Sequence, residues 1–249
     1  MEFKDHSSIN QAVWTDFELD YIDARVDKVL SLLPQLGANA AYLDIGCSSG
    51  AITEHCANRI GTKDVHGVDV GGGDEARNRG IEAVSVDLNK GESLPYGDRC
   101  FDVITCLETL EHLYDPDFIL SEIRRLLKPG GIVVVDVPRL DSLMNILLLI
   151  LGYQPPGVEC STHSRYGAIN ATSMLTGHVS YFTRKAFLEM LGSNGFQVKK
   201  FMQVGQAGNW LQAQKKLGQK VGVLPRLAWF LYSLFPFKKD YMITLLLQK

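Results

Sequence analysis

The sequence predicts an α/β fold on a doubly wound, mainly parallel sheet, and three observations carry that expectation. Short apolar runs alternate with stretches of helical period from Ala41 onward. The runs are close to continuous in Val, Ile and Leu, as strands covered on both faces are. The first of them ends in a tight turn, Gly46-Cys47-Ser48-Ser49-Gly50, that opens into a helix-like pattern.

The elements follow in order. Thr15-Asp16-Phe17-Glu18 reads as a capping box, because the threonine can cap backbone donors and the glutamate can reach back. Leu19, Ile22, Val26, Val29, Leu30 and Leu33 then share one helical face up to Pro34, an N-terminal helical segment within residues 1–40. Strands are expected at 41–45, 64–70, 83–86, 101–106 and 132–137, with helices at 51–60 and 117–127. Lys128-Pro129-Gly130-Gly131 reads as the turn before the fifth strand. The alternation lapses over residues 139–177, an inserted lid with a short helix at 143–151 and a Gly-, Pro-, Ser- and Thr-rich loop. A helix at 183–191 and two closing strands, 196–201 and 241–247, complete one domain over residues 1–249, with a Trp- and Pro-containing stretch between them.

Composition narrows the classes of function. The 249 residues are 46% hydrophobic, enough for one full core, and the net charge of −3 gives no general attraction to nucleic acid. Five cysteines show neither a CxxC pair nor metal-ligand spacing, so reduced thiols and no metal are expected. Met1 to His6 lacks the apolar core of a secretory signal, and the run from Ile146 to Leu151 is too short to cross a bilayer. A cytoplasmic chain is the expectation.

Ligands of such sheets bind beyond the carboxyl ends of the strands, where strand order reverses. Gly46 would let backbone lie against the ligand, with Asp44 below it turned toward the ligand's charged end. Asp69 ends the second strand about 20 residues beyond the turn, where ribose hydroxyls are held. Asp87 could accept from an exocyclic amine, with Leu88 against the ring. Leu107 and Glu108 would face the space between cofactor and substrate.

The sequence here resembles the class I S-adenosylmethionine-dependent methyltransferases. Asp44-Ile45-Gly46-Cys47-Ser48-Ser49-Gly50 is similar to the family's first motif, Val65 to Asp69 to its ribose-binding strand end, and Ser85 to Asn89 to its adenine contact. Leu94-Pro95-Tyr96, Phe101 to Ile104, Leu110-Glu111-His112, Leu127 to Gly131 and His178 to Thr183 resemble a small-molecule subgroup that includes ubiquinone-biosynthesis-like members. The resemblance implies a Rossmann-like seven-stranded sheet with an antiparallel closing strand. It also implies S-adenosyl-L-methionine as cofactor, held by Asp44, Gly46, Cys47, Ser48, Gly50, Asp69, Val70, Asp87, Leu88 and Leu107. Ser48 departs from the pattern, standing where the family usually has its second glycine.

Methyl transfer from a sulfonium needs near-attack alignment more than a nucleophilic side chain or a metal. Glu108, His112 and His178 are the candidates for a catalytic role beside the acceptor, and His163 reads as a solvated loop residue. The acceptor is expected to offer an oxygen or nitrogen on a small or lipid-like molecule. The greasy segments 143–151 and 229–235 read as a packed lid or a homodimer interface, or else as an acceptor wall or peripheral membrane contact. Two rivals stand beside this reading: a nicotinamide dehydrogenase, and a non-catalytic cofactor-binding or assembly module on the same fold.

Overall fold

The computed structural model describes residues 25–71, 73–168, 175–205 and 240–248. The capping box at 15–18 and the aromatic stretch at 229–235 lie outside them. After a helical stretch at 25–32 (α1) come β1 (Ala41–Ile45), α2 (Ala51–Ile60), β2 (Asp64–Asp69), α3 (Asp74–Asn78) and β3 (Glu82–Ser85). Then follow β4 (Phe101–Leu107), α4 (Pro116–Leu126), β5 (Leu127–Pro138), α5 (Leu143–Ile150), α6 (Arg184–Ser193), β6 (Gln197–Gly205) and β7 (Asp240–Gln248). The sheet order is β3-β2-β1-β4-β5-β7-β6. The first five strands run parallel, and β7 lies antiparallel to both β5 and β6.

The pleat explains the double cover. All five residues of β1 are buried, yet neighbours along it serve opposite faces. Tyr42 packs with Val29 of α1, Leu33 just beyond it, and Cys56 and Ile60 of α2. Leu43 and Ile45 pack with Ile119, Leu120 and Ile123 of α4 and Phe187 and Leu191 of α6. A strand buried on both sides reads as a nearly continuous apolar run, and Asp44 is the one charged residue within β1.

Two local readings change. Lys128-Pro129-Gly130-Gly131 does not separate α4 from the fifth strand, because β5 already begins at Leu127, paired with Phe101. The register then jumps so that Val103 faces Ile132, and the extra residues bulge out between the two pairs. A Cβ on Gly131 would meet the Leu127 side chain at 2.8 Å, so the bulge tolerates no side chain there without a shift. Gly73 caps α3, a helix of only 5 residues that the sequence pattern does not announce.

The chain pairs β1 with β2 on one side and β4 on the other, so strand order reverses between β1 and β4. A crevice therefore opens beyond their carboxyl ends. Described residues of the 139–177 insertion, among them Leu140, Asn145 and Val158, line a cavity together with Glu111 and His178. The insertion's α5 is capped by Ser142 accepting from Asn145 N at 3.2 Å, and Leu140 N donates to Phe182 O at 2.8 Å. Leu143 and Leu148 turn inward, whereas Leu149, Ile150 and Leu151 are exposed, Ile150 by 74%. No helix among the described residues is long and apolar enough to cross a membrane.

Candidate active site

The glycine turn is held from below. Gly46 N and Cys47 N both donate to Val68 O, at 2.8 and 3.2 Å, tying the turn to the end of β2. Asp44 is buried beneath the turn. Its carboxylate accepts from Thr53 Oγ1 at 2.5 Å and Thr105 Oγ1 at 2.6 Å, and Thr105 in turn meets the Tyr42 hydroxyl at 2.7 Å. Burial raises the Asp44 carboxyl to about 6, against the pull of those two hydroxyls. The residue is a strut joining β1, α2 and β4.

Gly46 is also required for a different reason than expected. With φ at +83°, a Cβ there would meet Thr109 Oγ1 at 2.1 Å. Thr109 cannot easily retreat, because its hydroxyl donates toward Ile45 O and Leu107 O. The Cys47 side chain also points inward, buried against Gly67, and burial pushes its thiol up to about 12. Ser48, in the place of the usual second glycine, has φ at +47°, the left-handed region that glycine enters most readily. Gly50 caps α2 in the same conformation and packs on Ala76 of α3.

Acids gather at the strand ends. Asp69 accepts from Ser48 N on one oxygen and Gly71 N on the other, each at 2.9 Å, so it shapes both loops of the mouth. Val70 beside it is 70% exposed. Asp87 caps a short 3₁₀ turn by accepting from Asn89 N at 3.0 Å, and Leu88 lies half-buried against the core. At the end of β4, Leu107 is half-buried, and Glu108 takes φ of +47° while its N–H donates to Asp136 Oδ1 at 2.7 Å. Buried Arg25 pairs with Glu108 at 3.0 Å and approaches Asp136 at 3.9 Å. Burial drives the Asp136 carboxyl upward, and Arg25 pulls it partly back. Sequence reasoning missed Arg25 and Asp136, although an aspartate after the three buried valines Val133 to Val135 of β5 was a legible signal.

Beyond Glu108 the chain makes a 3₁₀ turn at Leu110–His112. The Glu111 carbonyl accepts from Val179 N at 2.8 Å and Ser180 N at 3.0 Å, which fastens the 178–180 segment beside it. His112 and His178 then stand edge to face, ring centres 4.9 Å apart. Burial lowers His178 to about 4, helped by His112 beside it, so its imidazole is neutral at neutral pH. The Glu111 side chain is buried, and burial together with the Glu108 charge pushes its carboxyl well up. One ligand-capable atom each from Glu111, His112 and His178 lie within 4.8 Å of one another. His163 stays apart on an exposed loop, against Thr162 Oγ1.

Comparison with known proteins decides the family. A methyltransferase-domain family model matches residues 19–200. The chain belongs to the class I S-adenosylmethionine-dependent methyltransferases. The ubiquinone biosynthesis O-methyltransferase of Xanthomonas oryzae pv. oryzae (strain PXO99A) is 39% identical over 119 residues, 45% of each chain. The chain thus spans about half the length of that relative. The protein of the same description from Aeromonas salmonicida (strain A449) is 28% identical over 188 residues, 73% of this chain and 72% of its own. A Mesorhizobium loti S-adenosylmethionine-dependent methyltransferase structure has a TM-score of 0.58 at 17% identity, covering 91% of this chain and 98% of that one.

S-adenosylmethionine carries a sulfonium and a zwitterionic amino-acid end on an adenosyl group, and the donor set here suits it. Asp69 and Asp87 offer acceptors at the ends of β2 and β3, where a ribose diol and an adenine amine would need them. Asp69 and Glu108 at the strand ends would favour a sulfonium, with Glu108 shared with Arg25.

Proposed function

We propose that this chain transfers a methyl group from S-adenosylmethionine to an oxygen or nitrogen of a small or lipid-like acceptor by in-line displacement. The observation that carries the reading is the point where strand order reverses between paired β1 and β4, with the glycine turn after one strand and the 108–112 segment after the other. In this reading Gly46, Ser48 and Gly50 give backbone, Asp69 and Asp87 accept from the adenosyl group, and Val70, Leu88 and Leu107 enclose it. Asp44 and Cys47 act from beneath, holding the turn rather than touching the cofactor.

The cofactor supplies an activated methyl on a sulfonium when bound. The protein's task is alignment and exclusion of water. Glu108, His112 and His178 border the acceptor side. A neutral His178 with its basicity depressed to about 4 serves as a hydrogen-bond acceptor that orients a hydroxyl more than as a strong base. Oxygen is the favoured acceptor atom, because the matched relatives carry the O-methyltransferase description. The exposed Leu149, Ile150 and Leu151 on the 139–177 insertion support a lid for an apolar acceptor, with peripheral membrane contact as an extension of that idea.

Calorimetry with S-adenosylhomocysteine tests the cofactor site, with micromolar binding expected. A labelled-methyl assay against phenols, hydroxylated lipids and amines then tests the acceptor. A folded protein that binds neither S-adenosylmethionine nor S-adenosylhomocysteine would refute the reading.

A further inference from the structure

We propose that the cavity between the insertion and the 178–182 segment is a recognition pocket for a neutral hydroxyl on an apolar molecule, and that Asn145 is the residue that selects it. Pro138, Leu140, Val158 and Phe182 supply apolar wall, and Glu111 and His178 of the acceptor side line the same space. It amounts to about 270 Å³ with its mouth included, room for one small group rather than for a whole lipid.

The polar chemistry of the pocket follows from how Asn145 is held. The residue sits in the first turn of α5, where its backbone N–H donates to Ser142 Oγ at 3.2 Å. Its side-chain Nδ2 donates to Arg139 O at 2.8 Å. A carbonyl can only accept, so the amide cannot be turned the other way round. Oδ1 is fixed by that bond, buried, and without a hydrogen-bond partner among the described residues. With Asn145 only 2% exposed, bulk water does not supply one. An amide oxygen shut away in this manner costs free energy until a donor reaches it.

Other polar groups of the wall are already engaged. Ser180 Oγ donates to Leu113 O at 2.7 Å, and the Tyr181 hydroxyl donates to His178 O at 3.0 Å. Asp141 holds the Arg139 guanidinium at two nitrogens, at 3.2 and 3.1 Å. An anionic group therefore finds that guanidinium already matched, and it would set its own oxygens against Asn145 Oδ1. A cationic group would lie beside the same guanidinium. A neutral donor on an apolar body meets neither objection. Resting on the methyl-transfer reading above, that body is the methyl acceptor, and Asn145 favours acceptors that carry the hydroxyl. Binding in the pocket does not itself depend on that reading.

The test is a ligand-observed NMR titration of the purified full chain with phenol and with anisole, the same ring without its donor. Phenol is expected to bind roughly tenfold more tightly. Asn145→Leu should abolish that preference. Val158→Trp, which fills the cavity and leaves the Asn145 bonds in place, should abolish phenol binding. His163→Ala on the exposed loop should change neither. Circular dichroism checks that each variant folds, and Val158→Trp carries the test if Asn145→Leu does not. Absence of phenol binding overturns the inference, as does equal affinity for the two probes, the result for a pocket that only holds a water. A preference that survives either substitution, or tighter binding of benzoate or benzylammonium than of phenol, overturns it too. S-adenosylhomocysteine calorimetry on the same samples separates the two claims. Cofactor binding without phenol binding defeats the pocket alone, and selective phenol binding without cofactor supports the pocket while defeating the methyl-transfer reading.

Discussion

Replacing Asp44 with asparagine should change how stability depends on pH, in a direction set by burial. The carboxyl titrates near 3.8 when exposed and near about 6 in the fold. Between those values the folded chain holds more protons than the unfolded one, so stability falls as pH rises. A displacement of about 2 units corresponds to about 3 kcal/mol. That penalty is absent below the unfolded value and complete above the folded one. Asparagine cannot ionise, and the Tyr42–Thr105 hydroxyl chain can reverse direction to accept its amide. Any fixed cost of that exchange is independent of pH, so the slope carries the test. Urea unfolding of both proteins from about pH 4.5 to about pH 7.5 should show the variant gaining about 2 kcal/mol on the wild type, since part of the difference already lies below that range. Parallel stability curves would mean that the Asp44 carboxylate is not desolvated between α2 and β4.

Other perturbations test the mouth. Gly46→Ala should destabilise by roughly 1–3 kcal/mol through its positive φ and the Thr109 clash, and the double variant with Thr109→Ala should cost less than the sum; strict additivity in denaturation would remove the clash from the explanation. Ser48→Gly should stabilise by about 0.5–1 kcal/mol by relieving the left-handed backbone, and a loss of stability by the same measurement would show that the serine earns its place by an interaction. Asp69→Ala should weaken S-adenosylhomocysteine binding by about 1–3 kcal/mol while freeing the Ser48 and Gly71 amides; unchanged calorimetric affinity would mean the cofactor lies elsewhere.

The strands were legible because burial on both faces leaves uninterrupted apolar runs, and β1 and α2 fall where the pattern puts them. The bulge at Pro129 to Gly131 was not, since a turn signal inside a strand looks the same as one between elements. Helix α3 is too short to show a period. At the site, strand-end acids such as Asp69 could be named from spacing alone. The inward turn of Asp44 could not, because one of its partners, Thr105, is 61 residues away and arrives only with β4. The meeting of His178 with Glu111 and His112 is likewise a product of tertiary folding.

The place of β7 in the sheet has a consequence for how the molecule is made. This strand comes last in synthesis among the seven, yet it lies between β5 and β6, and β6 has no other neighbour in the sheet. While the ribosome is still producing residues 206–239, β5 therefore presents an open edge and β6 has nothing to pair with. Closing that slot joins positions such as Val134 and Leu246 across a long stretch of chain, a slow step by the logic of loop closure. The nascent chain would be most prone to edge-to-edge association during that interval, and its final strand would act as the latch that ends it.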